Sequence, residues 1–419
     1  MAQNKNKPRQ DWHYKKIENI AIFKRGKEPG SASYNRNRVG IRFIRVVDMS
    51  KSRTDIRYTN KSLEELKLCK TGDILIVLDG SPGIVRKDLT GAYSSGIRKV
   101  VLKSTDINYN FLYFILKSNI VQDKIAEYSQ GITIKHASSA LKHIDVPIPP
   151  LEEQKKIAYI LSKIEGAIDF QEKLVNTVKL LKKAMMHKLF TEGIGHKEFK
   201  DTEIGRVPKS WSIKRLDEAS TIKGRIGWQG LTTKEYLKKG DYLLITGTDF
   251  ESGKIDWDNC VYVSKDRYLQ DVNIQVESGD VLLTKDGTIG KLAYVENVPK
   301  PATLNSGIFL LRNKNPGHCG LFLYYLLDSE IFKKFIKTLS AGTTIIHLFQ
   351  KDLVAFKLPL PQIEEQKKIA YILSSIDSKI RIEESKKDIL EQLFLTLLNK
   401  LMSGEIRTDK LEVPKYAYR

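Results

Sequence analysis

Two stretches of the chain carry apolar residues at alternating steps of three and four. The first runs Ile157, Leu161, Ile164, Ile168, Val175, Val178, Met185, Leu189; the second runs Ile369, Leu373, Ile376, Ile380, Leu390, Phe394, Leu397, Leu401. That spacing lines one stripe of a helix and is the seam of a coiled coil. Pro149-Pro150 and Pro361 stand just before the two stretches, where proline is tolerated. Glu152-Glu153 and Glu364-Glu365 fall in the first turns, where acids favour the helix dipole, and Gly193 and Gly404 close the runs. Helices of some 40 residues span about 60 Å at about 1.5 Å per residue. Neither seam is stable in water, so the pattern predicts that the two helices pack antiparallel with a globular unit at each end. The seams turn polar in the middle, at Gln171 and Lys182 in one and Glu383 and Lys387 in the other. Such positions mark either a solvated splay or a device that fixes register.

Elsewhere the period changes. Short apolar runs, Asp73–Leu78 and Asp280–Thr284, lie next to Asp-Gly turns and read as strands. Amphipathic stretches follow over Phe111–Tyr128 and Gly320–Leu339. Strand and helix do not alternate regularly, which argues against a doubly wound parallel sheet. The fold class expected is α+β: two mixed α/β globular units, joined by two long antiparallel coiled-coil helices. Residues 194–210, rich in Gly, Lys and Glu, read as a linker.

The two halves are copies of one another. Glu152 to Ser162 returns letter for letter as Glu364 to Ser374. Outside that block the match is sparser: Pro147-Ile148-Pro149 with Pro359-Leu360-Pro361, Thr71–Leu75 with Ser278–Leu282, Asp79-Gly80 with Asp286-Gly287, His136 with His347, and Trp12 with Trp211. Divergent units on a shared frame suggest two different targets held at one separation, in an internal pseudo-twofold repeat.

Charge sharpens this. The net charge is +20, of which the two helices carry little: residues 151–190 have 8 Lys against 5 acids, and residues 361–401 have 7 Lys and Arg against 7. Residues 1–57 alone hold 15 Lys and Arg against 5 Asp and Glu. A basic excess concentrated on the globular units attracts polyanions, nucleic acid above all. The three cysteines, Cys69, Cys260 and Cys319, are scattered and odd in number, which suits a reducing cytoplasm and neither a disulfide frame nor a zinc cluster. No apolar run is long enough to span a bilayer, and the polar start shows no signal peptide.

A search for catalytic motifs finds little. Gly287-Thr288-Ile289-Gly290-Lys291-Leu292 lacks the glycine spacing and the Ser/Thr of a phosphate-binding loop, and reads as a turn between strands. Ile148-Pro149-Pro150-Leu151 has neither the amide or acid nor the aromatic of an amino-methyltransferase motif. Glu65-Leu66-Lys67 and Glu384-Ser385-Lys386 match a nuclease fragment too short to carry weight in a chain rich in both residues. No histidines are spaced for a metal. His136 and His347 have no base or carboxylate near them in sequence, which favours a structural hydrogen bond over catalysis.

Two basic, glycine-containing stretches occupy the same place in the two units, Lys24–Arg38 and Lys223–Lys234, and their sequences differ completely. Arginine suits guanine edges, Asn and Gln suit adenine, and Lys suits phosphate. Loops at equivalent positions with different letters are what two DNA readers need. The candidate DNA-binding residues are Arg25, Arg36, Arg38, Arg225, Trp228 and Gln229, with Lys24, Lys27, Lys223 and Lys234 on phosphates; residues 285–291 are the alternative reading segment. The bland alternative is a pair of solvated surface loops.

The order of parts resembles the specificity subunit of type I restriction-modification systems over essentially the whole chain. The Pro-x-Pro-x-x-Glu-Glu-Gln-Lys-Lys-Ile-Ala core at 147–158 and 359–370 carries the resemblance. It implies target-recognition domains at 1–150 and 211–360, spacer helices at 151–193 and 361–404, the linker at 194–210 and a tail at 405–419 that runs back toward the first unit. It also implies a non-catalytic, cytoplasmic protein that reads double-stranded DNA in two unlike half-sites around an unread spacer. Two methyltransferase subunits and restriction/translocase subunits are the implied partners. S-adenosylmethionine, ATP and Mg are implied on those partners, with no cofactor, metal or catalytic residue on this chain. A fused DNA-modifying enzyme and a coiled-coil scaffold that binds no DNA are the rival readings.

Overall fold

The computed structural model describes residues 12–50, 55–130, 135–227, 230–314, 317–339 and 347–408. They form two compact units. The first joins the chain up to Glu172 with the segment from Ser385 onward; the second is Lys173–Glu384.

In the first unit, Ile74–Val77 is one of two inner strands of an antiparallel sheet ordered Ala21–Arg25, Ile97–Leu102, Ile74–Val77, Val85–Arg86. Side chains alternate across a strand, so the run Ile74–Leu78 serves two cores at once. Ile74, Ile76 and Leu78 pack with Phe111, Phe114 and Ile125 of the helices Tyr109–Lys117 and Asn119–Glu127. Leu75 and Val77 face Ile44, Cys69 and Tyr93 of a second, five-stranded sheet. Burial on both faces is why this strand reads as a continuous apolar run. The pairing is mostly antiparallel; Ile41–Ile44 beside Gly91–Tyr93 is a parallel exception.

The second unit repeats the plan. Its sheet runs Ser220–Lys223, Ile308–Asn313, Val281–Thr284, Leu292–Tyr294. Val281 and Leu283 pack under Phe322, Leu326 and Phe332, while Leu282 joins Leu243 and Ile245 of a three-stranded sheet. The Gly287–Lys291 stretch is the expected turn, closing the hairpin between Val281–Thr284 and Leu292–Tyr294; the Thr284 hydroxyl donates to the Thr288 carbonyl at 2.6 Å.

The long helices are Leu151–Thr191 and Ile363–Met402. In the first unit, Ile157 and Leu161 near the start of one share a core with Phe394, Leu398 and Leu401 near the end of the other. In the second unit, Met186, Leu189 and Phe190 pack with Ile369 and Leu373. Starts meet ends, so the helices pair antiparallel. Gly193 and Gly404 follow the helix ends with φ of +65° and +72°, the left-handed turn that glycine adopts without strain.

Two expectations need correction. The polar seam positions are not a solvated gap. Gln171 and Glu383 are buried, Lys182 Nζ lies 2.7 Å from Asp377, and Lys387 Nζ lies 2.8 Å from Glu391. Nor is the segment after the first long helix a plain linker. Phe199–Thr202 pairs with Gly205–Pro208 as a hairpin, Val207 enters the core, and Arg206 lies over the Phe199 ring at 4.6 Å. Charged letters fall on both faces of the hairpin, with Lys200 half-buried and Asp201 and Arg206 exposed, and hide its two-residue period.

Candidate nucleic-acid interface

A rigid frame holds the variable segments, and it is the same in both units. The Trp12 indole N–H donates to Glu153 at 3.0 Å; the Trp211 indole N–H donates to Glu365 at 3.1 Å. The Gln154 amide donates to the Pro149 carbonyl and accepts from the Asn108 N–H; Gln366 donates to Pro361 and accepts from Cys319 N–H. Tyr113 donates to Glu165 at 2.7 Å, and Tyr325 donates to Asp377 at 2.8 Å. Burial and the neighbouring acid push both phenols up, so each remains a donor. The chain leaving each long helix returns to the same frame. Glu365 also accepts from Ile194 N–H and stands 2.8 Å from His196, while Lys156 donates to the Thr408 carbonyl in the first unit. The rest of the tail lies outside the described residues.

The variable segments hang from this frame at the end of the outer sheet strand. Lys24 and Lys223 hold the same rung of the two sheets, counted from the pairs Ile97–Val77 and Ile308–Thr284, and both are exposed. Two residues on, the units part. At Gly26 a side chain would begin 2.1 Å from the Ser94 carbonyl, so the backbone itself lies on that strand. Arg225 takes the same position in the second unit and sends its side chain inward. Its guanidinium donates to the Leu304 carbonyl at 2.8 Å and to the Thr303 hydroxyl at 3.1 Å, and the residue is 2% exposed. Burial, reinforced by the charge of Arg267, lowers its pKa. Arg225 is therefore a framework residue in this structure, which corrects its reading as an exposed base contact. Sequence cannot separate a buried arginine from a free one.

The other candidates among the described residues are exposed. Arg25 donates to the Ser95 carbonyl at 3.1 Å and approaches Asp79 at 3.9 Å. Lys27 and Arg38 are exposed, Arg38 with a φ of +60°. Arg36 lies 3.3 Å from Asp55, a carboxylate that Arg57 also meets at 2.9 Å and Arg45 at 3.7 Å. Arg45 is also held by Asp48 at 2.8 Å, so three guanidiniums share two acids and leave the patch net positive, a cluster that the sequence alone does not gather. Lys234 is exposed on the short turn Thr233–Glu235, which is pinned by Glu235 accepting from the Thr232 N–H at 2.9 Å. Trp228 and Gln229 lie outside the described residues.

The structure also pairs residues that the sequence left apart. His136 Nδ1 is 3.0 Å from Asp79, and His347 Nδ1 contacts Asp286. Each histidine thus has a carboxylate, contrary to the reading from sequence; the signal was present, because both members recur at matched repeat positions. Burial alone would raise the Asp79 pKa, but hydrogen bonds from His136 and Arg98 outweigh it and hold the carboxyl below the usual range. Among the described residues no group of His, Cys, Asp and Glu is arranged to hold a metal, and no helix is long and apolar enough to cross a membrane.

A family model for the type I restriction modification DNA specificity domain matches the chain twice, over residues 9–180 and 208–392. The chain belongs to that family. The chain is 30% identical to the type I restriction enzyme MjaVIII specificity subunit of Methanocaldococcus jannaschii, over 96% of this chain and 94% of that one. It is 23% identical to the EcoBI specificity subunit of Escherichia coli, over 94% and 86%. A crystal structure of a type I restriction-modification S subunit from M. genitalium shares the fold, with a TM-score of 0.59 at 20% identity over 96% of this chain and 98% of that one. The family's role is DNA specificity, and a specificity subunit is not itself the catalyst. The two matched segments bracket the two basic variable stretches, one in each unit.

Proposed function

We propose that this specificity subunit reads a bipartite DNA target, one half-site per unit, and docks methyltransferase and restriction subunits that carry out the chemistry. The observation that supports it best is the pairing of an identical frame with unlike loops. Trp–Glu, Gln–Pro and Tyr–acid contacts recur in both units, whereas the segments after Lys24 and Lys223 differ in sequence, and the close backbone approach at Gly26 in one is replaced by the buried Arg225 side chain in the other. A common frame presents each reader in the same orientation; different loops read different bases.

Lys24, Lys27, Lys223 and Lys234 are assigned to phosphates, and Arg25, Arg36 and Arg38 to base edges or nearby phosphates of the first half-site. Two readers on one face of B-DNA sit about one helical turn, roughly 34 Å, apart. The long helices fix the spacer and offer the partners exposed apolar positions such as Phe170, Leu180, Tyr371 and Ile389. S-adenosylmethionine, ATP and Mg belong on the partner subunits. The test is binding of Ala variants at Lys24, Arg25, Arg36, Arg38, Lys223 and Lys234 to duplexes altered in one half-site at a time. First-unit changes should leave recognition of the second half-site intact; loss of both half-sites together from one variant contradicts the division.

A further inference from the structure

We propose that His136 and His347, each gripped at Nδ1 by the aspartate of an Asp-Gly pair, are a matched pair of DNA phosphate contacts, one per half-site. The inference rests on the DNA-reading function above.

The geometry recurs at the level of single hydrogen bonds. In the first unit His136 lies opposite Asp79 in antiparallel register, and Ala137 N–H donates to the Leu78 carbonyl at 2.8 Å. In the second unit His347 bridges Asp286, and Leu348 N–H donates to the Lys285 carbonyl at 2.9 Å. In each unit the residue after histidine bonds the residue before aspartate. This register survives although the surroundings have changed. Asp79 is also held by Arg98 at 2.8 Å, with Arg25 at 3.9 Å. The rungs of Arg98 and Arg25 are taken by Phe309 and Gly224 in the second unit, where Lys285 lies over the Phe309 ring at 4.8 Å. A feature kept while its neighbours diverge serves something the two half-sites share. Two unlike DNA half-sites share no bases, but they share the phosphodiester backbone.

The chemistry fits an anion. A carboxylate on Nδ1 takes the proton there, and an imidazolium so held has its Nε2–H left to donate to a phosphate. The His136 side chain is 62% exposed and that of His347 37%, so each is open to a ligand. The charged groups around His136 are Asp79 and the two arginines on the same carboxylate, Arg98 and Arg25. Those near His347 are Asp286, Lys285 and Lys351, whose ammonium lies over Phe349, itself packed on His347. Cations outnumber acids at both places, which draws in phosphate.

The test is salt-titrated binding of the full chain to its target duplex and to an unrelated duplex of equal length. His136→Gln and His347→Gln should each flatten the salt dependence by about 0.9 in the log–log slope, equally on both duplexes, and the double variant by about twice that. His136→Lys should restore the slope. Unfolding midpoints of the variants separate this from a strut role: a lower midpoint with an unchanged slope overturns the proposal. So does loss confined to one base position of one half-site. Wild-type preference for the target duplex reports the reading function separately. Equal wild-type binding to both duplexes with a histidine-dependent slope would defeat target recognition and leave the phosphate contacts standing.

Discussion

The Trp211 indole N–H donates to the Glu365 carboxylate at 3.1 Å, binding the first residues of the second unit's sheet to the first turn of the second long helix. Glu365 sits beside the helix N-terminus, accepts from Ile194 N–H and meets His196 as well, so one carboxylate ties three segments together. Trp211→Phe keeps a buried aromatic ring and removes the donor. It should cost about 1–2 kcal/mol, whereas Trp211→Ala should cost about 3–5 kcal/mol. Urea unfolding of the two variants measures both.

Arg225 and Arg25 should behave as opposites despite their similar settings in sequence. Arg225→Ala orphans the Leu304 carbonyl and Thr303 hydroxyl and opens a cavity, and should destabilise the protein by about 2–4 kcal/mol. Its effect on DNA should follow the loss of folded protein and show no base preference. Arg25→Ala is exposed, should change stability by less than about 0.5 kcal/mol, and should weaken binding through the first half-site by about 1–3 kcal/mol. Unfolding midpoints and half-site binding on the same samples decide it.

His318 gives a pH signature. It is buried, it faces the Ser220 hydroxyl at 2.7 Å, and burial lowers its pKa from 6.5 to about 4. Its folded pKa is below its unfolded one, so the unfolded chain takes up a proton that the folded chain refuses. The neutral ring's contribution is therefore complete above about pH 6.5 and declines as pH falls toward about 4, by up to roughly 3 kcal/mol. His318→Gln should flatten stability over that window, and unfolding free energies across it provide the measurement.

The helices should act as a ruler. Gln171 and Glu383 are repeat equivalents, both buried at the polar middle of their seams. Inserting four residues after each adds about 6 Å per helix at about 1.5 Å per residue and overshoots one turn by about 40°, which the seam absorbs by a local unwinding. The mapped target of that variant should keep both half-sites and show a longer spacer. An unchanged spacer argues that something other than helix length sets it.

Legibility in the sequence follows the physics of each signal. The long helices are plain because Ile157–Leu189 repeats a period over many residues, and the central strand because Ile74–Leu78 is a continuous apolar run beside an Asp-Gly pair. The hairpin Phe199–Pro208 was hidden by charged letters on both of its faces. The Asp79–His136 pair joins residues 57 apart, and only the matching recurrence of Asp286 and His347 pointed to it. Arg225 was misread because the feature that buries it, the absence of a glycine at the Gly26 position, is visible only once the two sheets are aligned rung by rung.

The most direct measurement is a genome-wide map of methylated adenines in cells that carry this chain with its partner subunits. Two short, unlike half-sites around a spacer of constant length, with no base preference inside the spacer, are predicted. A single continuous motif, or a symmetric motif with identical halves, would contradict the reading of one half-site by each unit.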